Sequence, residues 1–210
     1  NQDHYQILAE GYRIKAIDPY HIRDLDIEKI DEQKRGLVLN EALKILQIDK
    51  ANAVANWLVG NMMIIKGNYL GALTYADIVI KHQPELSVGY IMKADALREL
   101  GRYAEASRFY RIAIDRGTAP DIKTLYRNLF VVYNTLGEYK KAYKLYFQVA
   151  NPLSINTGYK DIYELSLSAA ATGRVKDAIV FLKIAALKVP PQDLEYRKKI
   201  DDMLSYLSSK

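Results

Sequence analysis

Enzymatic chemistry needs side chains that attack, move protons or hold a metal, gathered at workable spacings. This chain of 210 residues offers few of them. Its three histidines, His4, His21 and His82, stand far apart along the chain. Cysteine is absent, which removes disulfides and thiolate metal sites. The run DLDIEKIDE (residues 24–32) has carboxylates spaced somewhat like a calcium loop. It lacks the glycine that such a loop needs at its sixth place, and its twelfth place holds Arg35 rather than Glu. Those acids read instead as residues that favour the first turn of a helix. Neither a phosphate-cradling glycine loop nor a Gly-x-Ser-x-Gly elbow is present. The segment EYKKAYKLYF (138–147) mixes Lys140, Lys141 and Lys144 with Tyr139, Tyr143 and Tyr146. Such a mixture can hold single-stranded nucleic acid by charge and stacking. At helical spacing, however, Ala142, Leu145, Tyr146 and Val149 form one apolar stripe, with the lysines opposite it. These residues predict a protein that is not an enzyme and that needs no cofactor or metal.

The elements that carry these residues are legible from a repeat. Glycine recurs at 67, 101, 137 and 173, intervals of 34, 36 and 36 residues. Two places after each stands Tyr69, Tyr103, Tyr139 or Val175, and three further on Ala72, Ala106, Ala142 or Ala178. Apolar residues at helical spacing flank each glycine: Tyr90, Ala94, Leu97 and Leu100 before Gly101, then Tyr103, Ala106, Tyr110, Ala113 and Ile114 after it. The glycine stops the first helix and reverses the chain. The alanine lets the second helix approach the first closely. Pro84 and Pro190 end second helices. A period in this range predicts a stacked array of helix pairs.

This pattern resembles the tetratricopeptide repeat. The third unit carries Tyr90, Lys93, Ala94, Leu97, Ala106, Tyr110 and Ala113 in that register, and the fourth Tyr126, Leu129, Phe130, Tyr133, Ala142 and Tyr146. The fifth carries Ile162, Leu165, Ser166, Ala169, Ala178, Leu182, Ala185 and Pro190. The second has Val59, Gly60, Met63, Ala72, Ala76, Val79 and Pro84, with Trp57 one place late. The resemblance implies an all-α, right-handed α-solenoid of stacked helix-turn-helix repeats. Its expected divisions are an N-terminal helix (1–18), a degenerate repeat (19–52), four repeats (about 53–86, 87–122, 123–158 and 159–192) and a C-terminal capping helix (193–210). In the degenerate repeat, Ile22, Leu25 and Ile30 suggest one helix and Leu37, Val38, Ala42, Ile45 and Leu46 another. The cap should bury Leu194, Ile200, Met203, Leu204 and Leu207 on one stripe. Phe130 departs from the pattern, standing where the family has Gly or Ala, and should splay its helix pair or shift its register. The joins DRGTAPD and VANPLSINTG each add two residues.

In this family the first helices line a concave groove that holds peptides or helices. Carried over by register, the groove residues are Trp57, Asn61 and Ile64, then Ile91, Asp95 and Arg98, then Arg127, Asn128, Val131 and Asn134, and finally Tyr163. The family's chaperone-binding members use a clamp of Lys, Asn and Arg around a C-terminal carboxylate. The equivalent positions here, among them Trp57, Asn61, Met92, Thr124 and Asn128, form no such clamp. The resemblance thus implies a scaffold or adaptor that binds a protein partner. The amphipathic ends, 1–18 and 193–210, could also fill a neighbour's groove, so self-association is a second expectation. The alternatives are a basic nucleic-acid-binding array, which the interleaving of 30 basic with 25 acidic residues disfavours, and an accessory domain of a larger enzyme. No apolar run is long enough to span a membrane. The chain begins at Asn1, which fits a removed leader or an excised fragment, so the compartment is open between cytoplasm and export.

Overall fold

A computed structural model describes residues 32–119, 122–149 and 157–209. The sequence expectations for residues 1–31, including the N-terminal helix, His4, His21 and most of DLDIEKIDE, lie outside the described residues, as do Pro120, Asp121 and residues 150–156 of the two joins. Every regular element among the described residues is an α-helix: α1 (Glu32–Ile48), α2 (Ala53–Ile65), α3 (Tyr69–His82), α4 (Ser87–Glu99), α5 (Tyr103–Arg116), α6 (Ile122–Thr135), α7 (Tyr139–Val149), α8 (Tyr159–Ala171), α9 (Val175–Lys188) and α10 (Leu194–Ser208). They fall into two compact units that divide after Leu125.

The helix ends follow from local chemistry. The side chains of Asn52 and Asn68 cap α2 and α3, accepting from the amides of Ala55 and Gly71 at 3.0 Å. Asp193 caps α10 by accepting from Tyr196 N at 3.2 Å. At the turn after α4, Gly101 has φ of 73°, a left-handed conformation that a Cβ would strain. Its amide donates to Arg98 O at 2.9 Å, and the Arg102 amide reaches back to Leu97 O at 2.8 Å. This double bond pattern satisfies carbonyls that the helix end would leave open. The turns at Gly67, Gly137 and Gly173 repeat it, with the long-reaching amide bond at 2.8 Å in each.

Within the first unit each helix from α1 to α5 packs on the next, and α2 also meets α4. The alanines at the repeating position, Ala72 and Ala106, are fully buried, as are Ala76, Tyr110, Val79 and Ala113 one and two turns on. Closely approaching backbones need small residues at such crossings. α1 buries Val38, Ala42 and Ile45, but Leu37 is 60% exposed, so the apolar face of that helix is narrower than its composition suggests. The lengthened join after α5 has a polar use. The Ser87 hydroxyl, at the start of α4, donates to Ala113 O at 2.9 Å, and its amide donates to the Thr118 hydroxyl at 2.8 Å.

In the second unit α8 packs on α7 and α9, and α10 packs on α9. Ala142, Ala178, Leu182 and Ala185 are fully buried. Phe130 is 2% exposed and meets Tyr146 edge to face, with ring centroids 5.2 Å apart. The bulky ring at a position where small residues are expected is therefore taken up by aromatic packing. α10 covers this unit with Ile200 and Leu207, whereas Leu194 in its first turn is 73% exposed instead of joining the buried stripe.

Candidate peptide-binding surfaces

In the first unit, Trp57, Asn61 and Ile64 on α2 and Ile91, Asp95 and Arg98 on α4 are each spaced i, i+4, i+7, which places each trio on one helix face. All six are part-buried. Asn61 Nδ2 donates to Trp57 O at 2.8 Å and lies 3.7 Å from Met92 Sδ, so it joins the two helices. Met92 lies over Gly60, where a Cβ would fall 2.3 Å from its sulfur. The trios can adjoin because Gly60 leaves room for Met92. Trp57 and Ile64 pack against the core of the unit with part of their surface open. Asp95 accepts from the Tyr110 hydroxyl and stands 3.9 Å from Arg98 Nη1, while Arg98 also pairs with Glu99 at 2.8 Å. An apolar strip from Trp57, Ile64 and Ile91 thus lies beside a fixed, charged edge.

In the second unit, Arg127 and Val131 are exposed on α6, and Asn128 is part-buried beside them. Arg127 Nε donates to Asp161 Oδ1 on α8 at 2.7 Å. Asn134, of the same stripe, is turned inward. Its amide nitrogen lies 3.3 Å from both the main-chain oxygen and the carboxylate of Glu164, and its oxygen accepts from the buried Ser168 hydroxyl. Burial pushes the Glu164 carboxyl above its ordinary value of 4.5, an effect that nearby Asp161 adds to and that the Asn134 hydrogen bond and Lys199 oppose. A raised folded value means that the folded state holds this proton more tightly than the unfolded chain does. The stabilisation it brings is complete below about pH 4.5 and is lost as pH rises through the folded value. Urea midpoints of wild type and Glu164→Gln, measured across the carboxylate range, should therefore differ in slope, with the variant losing less stability as pH rises.

Tyr163 on α8 belongs to a cluster that the sequence reading missed in part. Tyr196 of α10 receives Tyr159 and Tyr163 edge to face, at centroid distances of 5.6 and 5.7 Å. Lys160 Nζ and Lys199 Nζ lie 5.0 and 4.8 Å from the centre of the same ring. The Tyr159 hydroxyl donates to Asp193 at 2.6 Å, a bond that pushes the hydroxyl up to about 12 and holds the carboxyl below its ordinary range. The spacing carried a signal. Tyr196 follows Tyr163 by 33 residues, close to the repeat period, so a cap read as one more first helix would have revealed it.

His82 is exposed at the end of α3. Among the described residues, no three His, Asp or Glu side chains converge as a metal site would require, and no helix is long and apolar enough to cross a membrane.

The helix pairs, their glycine turns and their buried alanines define a tetratricopeptide-repeat fold. Solved structures with this fold are similar to the chain. One is YrrB, described as a TPR protein with an unusual peptide-binding site, at 17% identity and a TM-score of 0.65 over 80% of this chain and 84% of that one. Another is MamA of Desulfovibrio magneticus RS-1, at 15% identity and a TM-score of 0.61 over 75% of this chain and 93% of that one. A third is TTC0263, a thermophilic TPR protein of Thermus thermophilus, at 18% identity and a TM-score of 0.52 over 96% of this chain and 99% of that one. No family model matches the sequence, and no curated protein matches it.

Proposed function

We propose that the chain is a non-enzymatic adaptor that holds a peptide or helix of a partner protein against its first helices: α2 and α4 in one unit, α6 and α8 in the other. The observation that carries this reading is the composition of those faces. Trp57, Ile64 and Ile91 offer an apolar strip, and Arg127, Val131 and Tyr163 offer a cation, an aliphatic group and an aromatic, all at least partly open to solvent. Partly exposed apolar and aromatic side chains beside fixed polar groups are what peptide recognition uses. The peptide-binding site of YrrB, a protein of the same fold, supports the class of partner without identifying it.

The test uses three single variants, Ile91→Ala, Arg127→Ala and Tyr163→Ala, each titrated by calorimetry against the native partner. Arg127→Ala should weaken binding by about 1 kcal/mol or more, as loss of an interface arginine does. It should move stability by no more than about 1 kcal/mol, because the pair with Asp161 is solvent-exposed on the arginine side. If all three variants bind as wild type does, the first-helix faces are not the site.

A further inference from the structure

The chain's net positive charge falls on two second helices of the second unit. Residues 138–149, spanning α7, and 174–188, spanning α9, hold seven Lys and Arg against two carboxylates, a net charge of +5. The whole chain also carries +5, so all other residues together are neutral. Both carboxylates are already engaged: Glu138 pairs with Lys141 at 2.8 Å, and Asp177 accepts from the Tyr143 hydroxyl at 3.1 Å with Arg174 at 3.7 Å. Lys140, Lys144, Lys176 and Lys183 are exposed and have no carboxylate within salt-bridge distance among the described residues.

These lysines share their face with exposed apolar groups. On α9, Lys176, Val180, Lys183 and Leu187 fall within an arc of about 60°, opposite the buried Ala178, Leu182 and Ala185. Val180 is 52% exposed and Leu187 88%. On α7, Lys140, Lys144 and Phe147 fall within a similar arc, opposite Ala142 and Tyr146. The helices that carry the two stripes are neighbours, in contact through residues beside the α9 stripe. Phe147 meets Phe181 at 6.2 Å between ring centroids, and Arg174 lies 4.9 Å from the centre of the Tyr143 ring.

We propose that this face docks the protein on an anionic lipid surface, with the lysine ammoniums among headgroup phosphates and Phe147, Val180 and Leu187 entering the acyl boundary. Cations alone would suit any polyanion. Exposed aliphatic groups set between lysines have no use against a phosphodiester backbone, but they gain by burial in a bilayer interface. This face is separate from the first helices and does not depend on the peptide-binding reading.

The experiment is co-sedimentation of the full chain with vesicles of phosphatidylcholine alone and of phosphatidylcholine with phosphatidylglycerol. A single-stranded DNA oligonucleotide is titrated in parallel. Binding should need the anionic lipid and weaken with salt. The double variants Lys140→Glu/Lys144→Glu and Lys176→Glu/Lys183→Glu should each lower partitioning by about tenfold or more. Val180→Ser/Leu187→Ser should lower it severalfold at constant charge. All of these side chains are exposed, and unchanged helical circular dichroism melts confirm that the variants fold. Absence of binding to the anionic vesicles overturns the proposal. So does binding that the serine variant leaves unaltered, and so does binding to the oligonucleotide alone, which would make the partner a nucleic acid.

Discussion

Phe130→Ala should lower the stability of the second unit by about 3–5 kcal/mol, even though alanine is the residue that the repeat pattern prefers at this place. The ring is 2% exposed and its edge-to-face partner is Tyr146, itself buried in α7. Truncation removes the transfer energy of a benzyl group, leaves a cavity between packed helices and breaks an aromatic pair worth about 0.5–1.5 kcal/mol beyond its area. If Phe130 were a bulky intruder, as the repeat pattern alone suggests, alanine would relieve the splay and stabilise the unit instead. Urea denaturation of the two proteins separates the views. A lower midpoint supports filled packing, and an unchanged or higher one supports strain.

Overpacking gives the second large effect. Ala106→Leu and Ala142→Leu each add three heavy atoms at fully buried positions in second helices. The first sits where α5 crosses α4, and neither helix can yield without disturbing its own neighbour. The expected loss is about 1–3 kcal/mol in each case. The control is Ala104→Leu, about half a turn from the same crossing and solvent-facing, which should leave the melting temperature nearly unaltered. Equal effects at 104 and 106 would show that the register of the second helix is misplaced.

The glycine turns and the alanine crossings were legible because residue type alone encodes them. A left-handed φ at Gly101 and a fully buried methyl at Ala106 each leave few alternatives. Leu37 and Leu194 were less legible. Periodicity gives the apolar face of a helix, but whether a neighbour covers that face depends on tertiary packing. Asn134 shows the same limit for polar groups. It stands in the expected lining stripe, yet Ser168, one period later, and Glu164 draw it inward. The Tyr196 cluster depends on two helices lying side by side, so no single segment displays it, whereas the lysines of α7 stand opposite its apolar stripe within one segment and only the neighbourhood of α7 and α9 needed the structure.

The most direct test of the adaptor reading is site-specific photocrosslinking in the presence of the native partner. A photoreactive residue is placed in turn at Ile91, Arg127 and Tyr163 on the first helices, and at Ala104 and Lys176 on exposed faces of the second helices. If the first helices hold the partner, one and the same polypeptide is captured from their three positions and not from the second-helix ones. Capture of that polypeptide from positions 104 and 176, with none from 91, 127 or 163, would contradict it.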